Sequence, residues 1–281
     1  MTQQDPNNCS HTCESCSADC ASRTKPQSFL IEPNPRSTIR KKIGIISGKG
    51  GVGKSFVTAL LASEMQRKGY RTAVLDGDIT GPSQGYAFGI HEKAMGDGEL
   101  IMPARSATGI QVITTNMLLE TEETPVIWRG PMVANILKQF YQEVFWDDVD
   151  YMFIDMPPGT GDVPLTLFQS IPLDGIIIVT SPQELVSMVV EKAVNMAQMM
   201  NIPVIGLIEN MAYVECDDCG KKLYVFGESH AHEIAEKFGI PLLAQVPLNP
   251  VIAKASDEGN IDTIIVKEIE PAADYIEKKF M

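Results

Sequence analysis

The sequence has 281 residues, a formal net charge of −13 at pH 7 and 44% hydrophobic residues, which is enough for one large domain with a buried core. The acidic balance disfavours duplex nucleic acid and anionic membranes, because both require many basic side chains. The chain has neither a basic and apolar leader at its start nor a run of about 18 apolar residues. We therefore expect a cytoplasmic protein with no nucleic-acid partner and no membrane partner.

The first 36 residues are polar, contain Pro26, Pro33 and Pro35, and show little hydrophobic periodicity. This composition predicts a flexible, cysteine-containing N-terminal tail over residues 1–36, followed by one folded domain over residues 37–281. The six cysteines of the chain fall into two tight groups, one in this tail and one in the folded domain. In a cytoplasmic protein, such grouping indicates metal or cluster binding rather than disulfides.

Short apolar segments alternate with helical patterns through the folded domain. Strands are predicted at residues 43–47, 72–75, 111–114, 151–154, 175–180, 204–208 and 242–246. Helices are predicted at residues 54–68, 131–144, 184–200, 229–238 and 269–279. This alternation predicts an α/β fold in which a mostly parallel sheet carries helices on both faces. Ligands of such sheets bind at the carboxyl ends of the strands.

A glycine-rich segment, Gly48–Ser55, lies between the first predicted strand and the first predicted helix. It matches the pattern G-x-x-x-x-G-K-[ST] of a phosphate-binding P-loop, and the flanking strand and helix are the context that this motif requires. Its glycines let backbone N–H groups face phosphate oxygens. Lys54 is expected to reach the β- and γ-phosphates of ATP, and Ser55 to ligate Mg²⁺.

The loop carries a second lysine, Lys49, directly after its first glycine. Gly-Lys-Gly-Gly-Val-Gly-Lys-Ser resembles the deviant Walker A loop of the MinD/ParA-like ATPases. That resemblance implies a homodimer in which Lys49 contacts nucleotide bound to the other subunit, where its charge would stabilise the transition state. The alternative is a solvated surface lysine.

Three aspartates end predicted strands: Asp76, Asp78 and Asp155. Asp155 occupies the position of a Walker B aspartate and is expected to hold Mg²⁺ through water. The resemblance implies that Asp78 positions the attacking water and that Asp76 lies nearer the metal. The alternative for each is a helix cap or turn former. The loop at 157–162 is expected to sense the γ-phosphate, and the resemblance gives Asn210 a contact with the adenine edge.

The second cysteine group is Cys216 and Cys219, in the sequence Cys-Asp-Asp-Cys-Gly. Two thiolates at this spacing can hold one metal centre, and a symmetric dimer would supply the four that a four-iron cluster needs. One knuckle of a zinc ribbon has the same spacing, and the tail cysteines could supply its second pair. Spacing alone does not distinguish an iron–sulfur cluster from a zinc ion at this site.

A set of sequence blocks resembles the Mrp/ApbC family of iron–sulfur carrier ATPases. The blocks are 76–83, 128–132, 155–162, 181–183, 209–211 and the cysteine pair, and the match runs from about residue 42 to residue 252. The resemblance implies a [4Fe-4S] cluster that bridges two subunits through Cys216 and Cys219 and passes to apo iron–sulfur proteins. Asp147 and Glu228 depart from the family pattern, and neither lies in the P-loop or the cysteine pair.

The tail cysteines Cys9, Cys13, Cys16 and Cys20 have the spacing C-x3-C-x2-C-x3-C. Four thiolates suffice for one iron–sulfur cluster without a partner subunit. Longer members of the Mrp/ApbC family, which this sequence resembles, carry an N-terminal cysteine cluster with a different spacing. His11 could replace one ligand. Zinc and a tail of spare thiols are the alternatives.

The sequence thus predicts an ATP-hydrolysing iron–sulfur carrier or scaffold, with a zinc-stabilised MinD/ParA-like regulatory or positioning ATPase as the alternative. The expected catalytic residues are Lys49, Lys54 and Asp78. The expected nucleotide contacts are Gly48, Lys49, Gly50, Gly51, Val52, Gly53, Lys54, Ser55, Phe56, Asp76, Asp155 and Asn210.

Overall fold

The structure, a computed structural model, describes residues 29–281 except 80, 97, 119–129, 183–185 and 217. The tail cysteines and His11 therefore lie outside the described residues. The described strands are β1 (Ile39–Ile46), β2 (Thr72–Asp76), β3 (Met95–Gly96), β4 (Ile101–Met102), β5 (Ala104–Arg105), β6 (Gln111–Ile113), β7 (Val149–Asp155), β8 (Gly175–Thr180), β9 (Val204–Asn210), β10 (Val214–Glu215), β11 (Lys222–Leu223) and β12 (Leu242–Val246).

The described helices are α1 (Lys54–Arg67), α2 (Gln84–Ala87), α3 (Gly130–Glu143), α4 (Asp162–Ser170), α5 (Val186–Met199), α6 (Ala231–Phe238), α7 (Pro250–Asp257) and α8 (Glu270–Phe280). Short 3-10 helices lie at Thr115–Met117 and Lys267–Ile269. Each predicted strand and helix is found within a few residues of its predicted bounds. Helices α2, α4 and α7 were not predicted, and Asp162, expected in a loop, is the first residue of α4.

Eight of the described strands form one sheet in the order β12-β9-β8-β1-β7-β2-β6-β5. The pairs are parallel from β12 through β6, and only the edge strand β5 runs antiparallel to its neighbour. The predicted mostly parallel α/β sheet is confirmed. Strand β7 lies between β1 and β2, so that Asp76 is opposite Asp155 in the register.

Alternate residues of the central strands enter two separate cores, one on each face of the sheet. In β7, Met152 and Ile154 pack with α3, α4, α5 and α6 on one face. Tyr151 and Phe153 pack with α1, α7 and α8 on the other. Because both faces are covered, the β7 residues 151–155 are fully buried, which explains the continuous apolar run in the sequence.

Among the described residues, no helix is both long and apolar enough to cross a bilayer. Ahead of β1, the backbone N–H of Ile31 donates to the carbonyl of Ser170 at 2.8 Å, and the Ile31 side chain packs against the core. At least this part of the segment before residue 37 is therefore attached to the folded domain.

Candidate functional site

The expected functional residues gather where the central strands end. The P-loop follows β1, Asp76 ends β2, Asp155 ends β7 and Asn210 ends β9. All four strands are parallel members of one sheet, so their carboxyl ends lie along the same edge. This is the edge at which open α/β sheets bind ligands.

The P-loop owes its shape to glycines. Gly51 and Gly53 adopt φ values of 79° and 77°, in the left-handed region that residues with a Cβ rarely occupy. A Cβ on Gly53 would also lie 2.1 Å from Nδ2 of Asn210. Helix α1 begins at the next residue, Lys54, so the open N–H groups of its first turn face the loop, as they do in phosphate sites.

Lys54 is buried and forms an ion pair with Asp155, which is fully buried at the end of β7. Its Nζ also lies 3.9 Å from Oδ2 of Asp78. Thr58, one turn further along α1, has its hydroxyl 3.4 Å from Asp155 Oδ1. The predicted P-loop lysine, Walker B aspartate and second-strand aspartate therefore meet at one point, where one cation is shared by two carboxylates.

Asp76 is held by protein donors. Its carboxylate accepts hydrogen bonds from the backbone N–H groups of Asp78, Ser83 and Gln84 at 3.2, 3.1 and 3.1 Å, and from the Thr114 hydroxyl at 3.1 Å. Burial, and then the charge of Asp155, raise the pKa of Asp76 to about 7, against the effect of these hydrogen bonds. Asp76 thus fixes the turn that presents Asp78.

Gln84 is a site residue that the sequence reasoning missed. It is fully buried, and its Nε2 donates to Asp155 Oδ2 and to the carbonyl oxygen of Ser55, both at 2.9 Å. Its Oε1 is buried without a hydrogen-bond partner among the described residues. No motif marks this position, because the contacts depend on the turn after β2 folding back onto α1.

The side chains around Lys54 suit a hard divalent cation. Asp155, Asp78 and the Ser55 hydroxyl are oxygen donors, and Mg²⁺ prefers carboxylate oxygens together with retained water and phosphate oxygens. The Oε1 of Gln84, for which the described part of the chain offers no hydrogen-bond partner, is a further acceptor that a metal-bound water could use. The donor set therefore fits Mg²⁺, with Ser55 and Asp155 as the residues that would hold it.

The loop after β7 lies against the P-loop. The backbone N–H of Gly159 donates to the carbonyl of Ser47 at 2.8 Å, and that of Met156 to the carbonyl of Ile45 at 3.0 Å. The Ser47 hydroxyl in turn donates to the carbonyl of Lys49 at 2.9 Å. The segment at 157–162 is therefore adjacent to the start of the P-loop, where the sequence analysis expected a phosphate sensor.

The cysteine pair lies on a small hairpin formed by β10 and β11. The Cys216 N–H donates to the Lys221 carbonyl at 3.0 Å, and the Gly220 N–H donates to the Cys216 carbonyl at 2.8 Å. Gly220 adopts a φ of 68°, which closes the turn between the two cysteines and β11. Cys216 is half-buried and Cys219 is exposed.

The hairpin supplies two thiolates to a metal, those of Cys216 and Cys219. The described residues contain no group of three or more Cys, His, Asp or Glu side chains that could hold a metal ion. Cys216 lines a cleft of about 460 Å³, together with residues that include Pro247 and Val251. The residues that follow Lys222 form an exposed apolar run: Leu223, Tyr224, Val225 and Phe226.

A short segment joins the two sites. Asn210 Nδ2 donates to the carbonyl of Val52 in the P-loop at 3.0 Å, and Cys216 follows six residues later. Between them, the Ala212 N–H donates to the Val246 carbonyl at 3.0 Å, and the Leu248 N–H donates to the Tyr213 carbonyl at 2.8 Å. The structure gives Asn210 this P-loop contact; the expected adenine contact stays a prediction.

Comparison with known proteins identifies the family. The model of the NUBPL iron-transfer P-loop NTPases, of the ParA type, matches residues 38–280. The chain belongs to this family. This chain is 46% identical over 237 residues to an iron–sulfur cluster carrier protein of Clostridium perfringens, covering 82% of this chain and 83% of the relative. An iron–sulfur cluster carrier protein of Saccharolobus solfataricus is 42% identical over 223 residues, 79% of this chain and 75% of the relative.

Solved structures agree with the family assignment. A nucleotide-binding protein of Archaeoglobus fulgidus, solved in complex with ADP, superposes with a TM-score of 0.75 at 39% identity, covering 83% of this chain and 91% of that one. The cell division ATPase MinD of Pyrococcus furiosus superposes with a TM-score of 0.59 at 18% identity, covering 85% of this chain and 99% of that one. The second likeness confirms the expected MinD/ParA-like fold.

Proposed function

We propose that this protein is an ATP-dependent carrier that binds a [4Fe-4S] cluster and passes it to apo-proteins. The observation that carries the proposal is that the P-loop and the Cys216–Cys219 hairpin are joined by one six-residue segment that hydrogen-bonds to the P-loop at its start. Relatives that this chain matches over at least three quarters of both lengths are named as cluster carriers, which favours this function over a zinc-stabilised positioning ATPase.

ATP is the substrate of the first site. Its phosphate oxygens would compete with Asp155 for the Lys54 ammonium, which is paired with that carboxylate in the structure. Asp78 is the carboxylate that would orient the attacking water, and Lys49 of a second copy would neutralise charge on the γ-phosphate. Mg²⁺ held by Ser55 and Asp155 would supply positive charge that stabilises the negative charge of the phosphates. We propose slow turnover that is coupled to cluster loading or transfer.

The cluster is the cargo of the second site. A four-iron cluster needs four ligands, and the hairpin of one chain supplies two, Cys216 and Cys219. We propose that a second copy supplies the other two across a two-fold axis, because an isologous contact repeats the same pair. The exposed apolar run Leu223–Phe226 next to the cysteines is suited to burial in such a contact.

The experiment is anaerobic reconstitution with iron and sulfide, followed by absorbance spectra, iron and zinc analysis and mass measurement. To isolate the hairpin site, it is run in a background in which the four tail cysteines are alanine. We expect about four irons per two chains and a dimeric mass. Cys216→Ala should lose the iron while its ADP affinity stays that of the parent.

The paired variant Cys13→Ala/Cys16→Ala, made in the full chain, is the matched control for a tail contribution. If the hairpin holds its own bridging cluster, this variant should keep that cluster and the dimer. Stoichiometric zinc with no iron would overturn the carrier function in favour of a zinc-stabilised ATPase. Loss of the hairpin metal in the tail variant would instead show that the tail completes the site within one chain.

A further inference from the structure

Gln84 is a buried polar residue to which none of the expected roles applies. Its side chain is fully buried at the first position of α2, in the turn that follows Asp78. A carboxamide in such a place costs free energy unless its hydrogen bonds are made. A residue that only filled the core would be apolar here, so the partners of this amide indicate its role.

The nitrogen and the oxygen of the Gln84 side-chain amide have different surroundings. Nε2 donates to Asp155 Oδ2 and to the Ser55 carbonyl oxygen, each at 2.9 Å. Both partners are acceptors only, so the nitrogen must face them and Oε1 must face away. Oε1 has no partner in the described part of the chain. The backbone N–H of the same residue donates to Asp76 Oδ2 at 3.1 Å.

We propose that Gln84 is a positioning residue for Mg²⁺ in the nucleotide site. This inference rests on the proposed binding of ATP with Mg²⁺. Gln84 fixes the Walker B carboxylate of Asp155 relative to the residue, Ser55, whose hydroxyl would ligate the ion. Its open Oε1 provides an acceptor for a water molecule in the shell of Mg²⁺, an ion that usually retains several waters in proteins. Partners that orient metal ligands in this way commonly contribute about 10-fold or more to metal affinity.

The test measures how much Mg²⁺ tightens nucleotide binding, rather than turnover. Titration calorimetry with ADP and with a non-hydrolysable ATP analogue is run once with Mg²⁺ and once with EDTA. In Gln84→Met, which keeps the length and the packing of the side chain, the affinity in EDTA should stay within about twofold of the parent. The tightening by Mg²⁺ should fall roughly 10-fold.

Gln111→Met is the matched control. Gln111 is also a buried glutamine of this domain, but it lies away from the P-loop. Its Nε2 donates to the Asp147 carbonyl and its Oε1 accepts from the Asp147 N–H, both at 2.9 Å. Its replacement should lower the stability and leave the Mg²⁺ effect unchanged. If Gln84→Met does not fold, Gln84→Asn carries the test, because the shorter amide cannot keep both 2.9 Å contacts.

Full retention of the Mg²⁺ effect in a folded Gln84 variant would overturn the positioning role. An equal loss in Gln111→Met would also overturn it, since the effect would then be one of general stability. A parent protein that binds neither nucleotide would instead contradict the proposed ATPase function, so the two failures are distinguishable.

Discussion

Asn210 Nδ2 lies 3.0 Å from the carbonyl oxygen of Val52, so the end of strand β9 is hydrogen-bonded to the phosphate loop. Asn210 is only 2% exposed, and the contact is close enough that a Cβ on Gly53 would clash with the same nitrogen. The segment that leaves this asparagine leads to Cys216. A displacement of the P-loop by bound phosphate would therefore act directly on the strand that carries the cysteine hairpin.

The first prediction is that Asn210→Ala uncouples the two sites. The change leaves the buried Val52 carbonyl without its donor, which should cost about 1–3 kcal/mol of unfolding free energy. ATP affinity should fall, and the rate of cluster transfer to an apo-acceptor should lose its dependence on nucleotide, as followed by absorbance of the acceptor.

Asn249→Ala provides the matched control for this variant. Asn249 caps α7 by accepting from the Val251 N–H at 2.8 Å, so its loss should cost about 1 kcal/mol without touching the P-loop. A transfer rate that still responds to ATP in Asn210→Ala would contradict the proposed link.

The second prediction concerns the buried ion pair of Lys54 and Asp155. Lys54→Met leaves the fully buried Asp155 carboxylate without its cation and should cost about 3–5 kcal/mol of unfolding free energy. The double variant Lys54→Met/Asp155→Asn removes both charges and should recover most of that loss. Urea unfolding of the parent, both single variants and the double variant gives the coupling. Additive losses in the double variant would show that the two charges do not depend on each other.

The sequence alone was enough to select the candidate site residues that belong to a local motif, while their roles stay predictions. The P-loop, Asp76, Asp78, Asp155 and the cysteine pair are each marked by a strand end or by a fixed spacing. The order of the strands was not available from such local signals, because pairing is set by contacts between distant segments. Nothing in the sequence shows that β7 separates β1 from β2, and that insertion is what places Asp155 opposite Asp76.

The same reason explains the residues that were missed. Gln84 and Thr114 have no motif, and they reach the site only because the turn after β2 and the end of β6 pack beside Asp76. Helix α4 was missed because its start coincides with the glycine-rich segment at 157–162, which has the composition of a loop. The carboxylate of Asp76 accepts hydrogen bonds from four protein donors, and its expected place near the metal stays a prediction.

The third prediction is an acid sensitivity at the C-terminal helix. Glu277 on α8 accepts from the Tyr70 hydroxyl at 2.7 Å and from Lys68 Nζ at 2.9 Å. The hydrogen bond from Tyr70 has the larger effect and that from Lys68 the next, and both lower the pKa of Glu277 below its ordinary value of 4.5. A lowered pKa in the folded state means that the contribution to stability is complete above pH 4.5 and is lost as the pH falls through the folded-state value.

Urea midpoints of the parent and of Glu277→Gln, measured from pH 7 down to pH 3, provide the measurement. The parent should be the more stable at pH 7, and the difference should shrink below pH 4.5. Glu258→Gln is the control, because Glu258 lies 3.5 Å from Lys254 in an exposed pair within α7 and its C-terminal turn. A difference between parent and Glu277→Gln that does not change with pH would contradict the assignment.

The fourth prediction tests whether Lys49 acts on the other subunit. Lys49→Ala alone and Asp78→Ala alone should each bind ATP and hydrolyse almost none of it, because one lacks the lysine and the other lacks the carboxylate that orients water. If Lys49 acts across the interface, mixing the two variants restores one complete pocket in each mixed dimer. The Lys49→Ala subunit keeps its own Asp78 and receives Lys49 from the Asp78→Ala partner. Since about half of the dimers are mixed and each has one working pocket, turnover should recover to about a quarter of the parent value. A lysine that acts within its own chain predicts no recovery, because each subunit of the mixed dimer then lacks one of the two groups it needs.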